Sequence, residues 1–454
     1  MPEGISLALL TCDLRTHDSP VLHAATAHPG TVPLFVLDDA IHGRGLAPPN
    51  RSAFLADCLV DLDASLRARG SRLVVLRGDT ATETARLAHR VGAGAVHVAA
   101  GISGFGQRRE ARLRTALGDR LTVHDAVSTT VSPGEVVPTG KDHYAVYGAY
   151  YRQWSLLPRR APLPPPHRLN TPEQVQGIPL DQVREQLTTS GAAPGLAPGG
   201  EGPARQRLRR WTAALLAEYA DNHDDLPGDL TSRLSPYLHF GCLSGTEVAH
   251  AAAAAGNAGT EPFLRQLAWR DFHHQLLAAR PECGTTDYRP RGDRWRYDEA
   301  ELEAWRQGRT GYPLVDAGMR QLLHEGWMHN RARMVTASFL TKTLYQDWRA
   351  GAAHFAHHLL DADVANNQLN WQWVAGTGTD TRPNRVLNPL RQAQRFDAEG
   401  EYVRRWVPEL AGVAGSAVHR PWLLPATARA ALDYPDPIVD LQAGLARFQE
   451  ARGR

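Results

Sequence analysis

Over its first 130 residues the chain alternates short apolar runs with helical stretches, and past residue 205 the pattern becomes helical almost throughout. The runs are ISLALL, VPLFVL, RLVVLRG, AVHVAA and LTVHDA, separated by amphipathic segments such as 51–69. Strand-length and helix-length segments in strict alternation are the signature of a parallel sheet with helical crossovers. The sequence therefore specifies an α/β N-terminal domain with a Rossmann-like parallel sheet. Its first strand runs into TCDLRTHDSP, which lacks the GxGxxG turn of a dinucleotide fold, and GISGFG at 101–106 lacks that spacing too. Nothing in this domain requires NAD.

Residues 155–205 contain LLPRRAPLPPPHRLN and GAAPGLAPGGEGP, which cannot sustain helix or sheet and read as a long connector. The expected organisation is an α/β domain at 1–130, a linker at 131–204 and an all-α domain at 205–454. A chain of 454 residues, 43% hydrophobic, is long enough for about two or three domains. No apolar run approaches the roughly 20 residues of a membrane span. ISLALL is too short, and lacks the basic flank, for a secretion signal, so the expected location is the cytoplasm. Cys12, Cys58, Cys242 and Cys283 form no CxxC pair. They are expected to be reduced core thiols rather than a disulfide framework or zinc site.

Net charge is only +2, so global charge does not announce nucleic acid. The 50 basic residues include just two lysines, Lys141 and Lys342, a bias that suits forked contacts but that genomic base composition explains better. Ten of the eleven tryptophans lie after residue 200. Whatever needs large π surfaces belongs to the helical half.

Four stretches there carry candidate chemistry. DADVANNQLNWQW, 361–373, is rich in Asp and Asn, which compete for local backbone hydrogen bonds, so it reads as a loop or ragged helix end. Trp371 and Trp373, two apart, point to nearly opposite sides in either conformation. TSRLSPYLHFG, 231–241, offers hydroxyls, Arg233 and a Ser235 cap before Pro236. That suits a pyrophosphate, although a merely well-capped helix is the plainer reading. In EPFLRQLAWRDFHHQLL, 261–277, Thr260 is a candidate cap, and Gln266, Trp269, Arg270 and His273 share one helical face. A solvated face and a groove gripping bases and phosphates both fit that face. GWMHNRARM, 326–334, brings Asn330, Arg333 and Met334 together if helical, and taken alone reads as a core edge. The pairs His273-His274 and His357-His358 are adjacent rather than four apart, and no metal site is expected.

Together WRDF, GYPLVDAGMRQL, GWMHNRARMVTASFL, DWRAG, NWQWVAGTGTD and NPLRQAQRFD strongly resemble the photolyase and cryptochrome flavoproteins, most closely the class I cyclobutane pyrimidine dimer photolyases. The likeness is densest over 219–410, and DLRTHDSPVLHAA matches the family's opening strand and turn. It implies FAD, reduced in its active form, folded into a U in the helical domain. Tyr219, Thr231, Ser232, Arg233, Leu234 and Ser235 would hold its phosphates and ribityl chain. Asn367 would face flavin N5, Asp363 would accept from flavin N3–H, and Asp361 would pair with Arg333. Trp371, Trp348 and Trp295 would relay electrons from the surface.

The resemblance also implies a light-driven carbon–carbon lyase acting on UV-damaged DNA, with the lesion flipped out of the helix. Trp269 and Trp373 would stack on the damaged bases, in a set with Gln266, His273, Asn330 and Met334. Arg270, Arg331 and Arg385 would meet phosphates, with Gln392 near the DNA. Gln266 stands where family members often carry Glu, and an amide can donate but cannot transfer a proton at ordinary pH. Asn330 and Met334 occupy positions where the (6-4) branch would carry catalytic histidines. A second antenna chromophore is expected on the α/β domain, an 8-hydroxy-5-deazaflavin type favoured over methenyltetrahydrofolate. The alternative is a cryptochrome-type photoreceptor, whose hallmark would be a long tail, whereas this chain ends about fifty residues past RRWVPEL. A monomer without membrane or obligate protein partner is expected.

Overall fold

A computed structural model describes residues 4–43, 47–188 and 190–453. By chain contacts it divides into two compact units. The first comprises residues 1–192, 197–220 and 232–284, and the second comprises 193–196, 221–231 and 285–454.

The first unit is built on five strands: β1 (Ile5–Leu10), β2 (Gly30–Asp38), β3 (Val74–Gly78), β4 (Ala93–Ala99) and β5 (Leu121–His124). All pair in parallel, in the order β3-β2-β1-β4-β5. Each apolar run of the sequence overlaps one strand, and β2 is buried along its whole length, as a strand covered on both faces must be. The order reverses between β1 and β4, so the turns after them, at 11–15 and 100–103, flank the crevice where doubly wound sheets bind ligands. Asp13 lies there fully buried, its Oδ1 accepting from the Thr11 amide at 2.8 Å while Oδ2 has no partner among the described residues.

The segment 155–205 is irregular only in part. The helix Leu180–Leu187 interrupts it, and Glu201–Ala214 begins inside it. LDQVREQL places Val183 and Leu187 four apart on one buried edge, enough to keep a short helix between two proline-rich stretches. Cys58 and Cys242 do behave as buried thiols, facing each other at 3.4 Å, but Cys12 is half-exposed and so is not a core residue.

The second unit is helical. Pro313–Glu325, Asn330–Ser338, Trp348–His358, Val364–Ala375, Pro389–Phe396, Glu401–Trp406 and Leu441–Ala451 enclose one apolar core containing Trp305, Trp348, Phe355 and Trp371. Helix Asn330–Ser338 runs on into a π-helical turn, Phe339–Thr343. No helix among the described residues is long and apolar enough to cross a membrane.

Candidate functional site

In the first unit Gln266, Trp269, Arg270 and His273 lie on helix Thr260–Ala279. Its N-cap is Gly259 rather than Thr260. A side chain at 259 would collide with the Leu216 carbonyl and approach Tyr219 Cβ to 3.1 Å, so the close pass demands glycine. Thr260 Oγ1 instead donates to the Ala252 carbonyl at 3.0 Å. The helix buries Phe263, Leu264, Leu267, Phe272 and Leu276, and with them Asp271, which accepts from the Thr130 and Val131 amides and from Trp154 Nε1. Burial pushes the Asp271 carboxyl up, while Arg270 and these donors oppose that shift.

The face carrying Gln266, Trp269, Arg270 and His273 grades from exposed to buried along the helix. Gln266 is exposed, Trp269 and Arg270 are half-buried and His273 is buried. Tyr147, on helix Tyr147–Trp154, stacks flat on Trp269 with centroids 3.7 Å apart and planes 7° apart. One indole face is thereby occupied by the protein. Arg270, expected to meet phosphate, donates instead to the Ser128 and Leu238 carbonyls at 2.5 and 3.3 Å, because the neighbouring backbone acceptors capture its fork.

Also in this unit, helix Ser235–Phe240 takes Leu234 as N-cap. Ser235 is its first residue, and no side-chain hydrogen bond caps it, so the cap expected of Ser235 is not formed. Arg233 has φ 50°, a left-handed conformation that costs a side-chain-bearing residue about 1–3 kcal/mol and that clusters at ligand-binding loops. The Ser232 carbonyl accepts from Arg207 Nε at 2.6 Å, and Ser232 Oγ accepts from the Leu234 amide. Tyr219 is 9% exposed and packs edge-on against Trp211 and Phe263.

In the second unit, Thr231 Oγ1 is buried without a hydrogen-bond partner among the described residues. His329 caps helix Asn330–Ser338, its side chain accepting from the Arg331 amide, and the Asn330 amide lies 4.0 Å from Met334 sulfur. Arg331 is committed to Asp224 through both Nε and Nη2, at 3.2 and 2.5 Å, and stacks 4.3 Å over Phe396. Arg333 grips Asp361 with both prongs, at 3.0 and 2.8 Å, so the nearly buried carboxylate has its counter-charge.

The 361–373 segment is neither a loop nor only a ragged helix end, but the start and most of a regular helix. Asp363 is the N-cap of helix Val364–Ala375, accepting from the Asn366 amide at 2.8 Å and from its side-chain nitrogen at 2.8 Å, so the local hydrogen bonding expected of Asp and Asn starts the helix. Asn367 Nδ2 donates to the Ala352 carbonyl at 2.9 Å. Trp371 points into the core at 2% exposure, while Trp373 is half-buried with the Arg385 guanidinium 5.6 Å from its ring centroid. Gln392, on helix Pro389–Phe396, has its Oε1 buried without a partner among the described residues.

Trp348 is fully buried at the start of helix Trp348–His358, and one turn later Gly351 leaves room for the Trp371 ring, which a Cβ there would strike. Trp295 packs against the same core and tilts on Tyr345 at 5.0 Å. Sequence reasoning passed over four residues at these places: Tyr147, Asp287, Trp305 and Lys342. Trp305 lies edge-to-face with Trp371 at 6.0 Å. Asp287 accepts from Trp348 Nε1 at 2.8 Å. None sits in a pattern that a period or a cap would mark.

The family model for DNA photolyase matches residues 6–167, and that for the FAD binding domain of DNA photolyase matches residues 263–453. The chain is 58% identical, over 99% of both chains, to the deoxyribodipyrimidine photo-lyase of Streptomyces griseus. Its fold resembles a bacterial class III photolyase from Agrobacterium tumefaciens (TM-score 0.92, 32% identity, covering 100% of this chain and 98% of that one). It also resembles a cryptochrome from Synechocystis (TM-score 0.90, 27% identity, 99% of both chains).

Proposed function

The chain belongs to the DNA photolyase family, and from that premise we propose that it is a light-dependent DNA repair enzyme that splits cyclobutane pyrimidine dimers in a flipped-out lesion. The observation that carries the reading is the helix Val364–Ala375, which buries Trp371, presents Trp373 on another side and sets Asp361, Asp363 and Asn367 at its start.

The donor set suits FAD. Within the second unit Thr231 has a buried hydroxyl without a partner among the described residues and Arg333 brings a permanent charge already balanced by Asp361, and within the first unit Arg233 is held in a strained conformation. Thr231, Ser232, Arg233, Leu234, Ser235 and Tyr219 would hold its phosphates and ribityl chain, and Asp363 would accept from the ring edge. FAD bound there in its reduced form would supply light-driven, reversible one-electron donation to the dimer. The rest is positioning by the chain. Asn367, tethered to Ala352, would hold its free amide oxygen in a fixed direction. Gln266 would donate a hydrogen bond to a base carbonyl without giving up a proton. Trp269, Trp373, Asn330, Met334 and His273 would form the lesion-binding set, and Arg331, Arg385, Arg270 and Gln392 would lie nearest the DNA backbone. Trp371, Trp348 and Trp295 would pass electrons inward from solvent.

The functional division follows the α/β segment 1–130, the connector 131–204 and the helical segment 205–454. A deazaflavin-type antenna would sit at the crevice between β1 and β4, near the unsatisfied Asp13 oxygen. The enzyme would act as a monomer in the cytoplasm. The likeness to a cryptochrome keeps photoreception without repair as a second reading. Flavin-reduced protein is expected to restore dimer-containing oligonucleotide under blue light and not in darkness. Unchanged lesion content in the light would sink the repair reading and leave the photoreceptor.

A further inference from the structure

We infer that Lys342 is a positioning residue for DNA binding: from inside the helical unit its ammonium holds the loop 376–388, so that Arg385 stays over Trp373. The inference rests on the reading of Arg385 and Trp373 as DNA contacts. Lys342 lies on the π-helical turn at 1% exposure and donates to the Pro383 carbonyl at 2.9 Å and the Arg385 carbonyl at 2.7 Å, with the Phe448 ring 5.7 Å from its nitrogen.

No carboxylate touches this ammonium among the described residues. Asp293 Oδ1 accepts from Arg452 at 2.6 Å and from the Tyr345 hydroxyl at 2.9 Å while its Oδ2 has no hydrogen-bond partner among the described residues, and Asp380 accepts from the Arg382 amide within the loop. Burying a charge with no carboxylate in contact is expensive, and an apolar side chain of that length would fill the space at less cost. What the charge gains is a grip on two carbonyls, one of them belonging to Arg385 itself. The Arg385 amide also closes a turn onto the Arg382 carbonyl at 3.0 Å, and two residues on the Leu387 amide donates to Ser338 Oγ at 3.0 Å, so Lys342 is the tie that reaches Arg385 from the π-helical turn. The residue type points the same way. In a chain whose 50 basic residues include only two lysines, this buried position takes the compact ammonium rather than the broad guanidinium fork.

The grip depends on the proton, because bonds from a charged donor are about twice as strong as neutral ones. Burial, with Arg452 and Arg385 nearby and Asp380 and Asp293 opposing them, brings Lys342 down from 10.5 to about 7. Raising the pH through that value weakens both bonds. The effect on folding has the opposite sign: above pH 7 the unfolded chain binds the extra proton, so stability from this group rises with pH up to 10.5. Loss of DNA affinity in that window is therefore not unfolding.

The test uses FAD-loaded protein and a dimer-containing duplex, with the dissociation constant measured from pH 6 to pH 8.5 at fixed ionic strength. Wild type should bind more weakly as pH rises through about 7. Lys342→Met should bind about tenfold more weakly at pH 6, a loss of about 1.4 kcal/mol. It should also have a flatter pH response and an unchanged rate of flavin photoreduction. In an Arg385→Ala background the same substitution should add little. Lys342→Met binding like wild type, or adding its full effect without Arg385, overturns the inference while leaving the Arg385 reading intact. Arg385→Ala binding like wild type overturns both. Should Lys342→Met fail to fold, the pH response of Arg385→Ala decides: its loss supports the inference and its retention overturns it.

Discussion

Trp348 shows how much of a residue's chemistry is set by neighbours the sequence keeps far away. Its indole N–H donates to Asp287, 61 positions distant, and Arg349 lies 4.7 Å over its ring while pairing with the same carboxylate at 2.9 Å. Positive charge arriving on the indole is favoured by Asp287 and opposed by Arg349, and solvent screens the 39%-exposed guanidinium more than the 17%-exposed carboxylate, so Asp287 is the larger influence. Trp348→Phe should nearly abolish photoreduction of oxidised flavin under blue light. Asp287→Asn, which keeps the hydrogen bond but removes the charge, should slow it by about tenfold, equal to ~1.4 kcal/mol. Repair by chemically reduced enzyme should survive in both. Normal photoreduction of Trp348→Phe, followed by flavin absorbance, would refute the relay. From residues alone Trp348 is core packing, since burial and a role in electron transfer leave the same mark on a sequence.

At the scale of elements, the contact between helices Trp348–His358 and Val364–Ala375 depends on one missing methyl. A Cβ on Gly351 would strike the Trp371 ring and come within 2.6 Å of Leu340 Cδ2. Gly351→Ala gains helix propensity but overpacks the core, and the second effect is larger: the expected loss is about 1–3 kcal/mol in chemical denaturation. Photoreduction should fall with it as Trp371 shifts. Unaltered stability would show that the core relaxes around the methyl. The strands were legible because period and length identify a buried parallel strand, and ISLALL matches β1 residue for residue. Helix starts were not. Gly259 and Leu234 displaced the expected caps because the chain's approach to Leu216 and the strain at Arg233 decided where those helices begin. The same limit hid the extent of the helix within 361–373, where Asp363 is the cap that starts it.

For the whole molecule, a net charge of +2 leaves DNA affinity to local arginines. They are not equivalent. Arg385 lies over Trp373, whereas Arg331 is already paired with Asp224 and its charge is balanced there. Arg385→Ala should weaken binding of damaged duplex and reduce the slope of log affinity against log salt by about one, the amount expected for one phosphate contact. Arg331→Ala, which also frees Asp224, should weaken binding with a smaller change of slope. Equal slopes for both variants and wild type would count against phosphate contacts at either position.

The sequence by itself determined the alternating sheet, the helical remainder, the aromatic concentration in the second half and the motifs that mark the family, because periodicity and side-chain type are local properties of the chain. Only the tertiary structure decided which charges are already balanced, as Arg331 is by Asp224. It alone showed which aromatic face is covered, as Trp269 is by Tyr147, and which buried cation holds which loop, as Lys342 does at Pro383 and Arg385. Each of these joins residues dozens of positions apart, and the energy of a buried charge or a stacked ring depends on what folding brings against it, which no local pattern encodes.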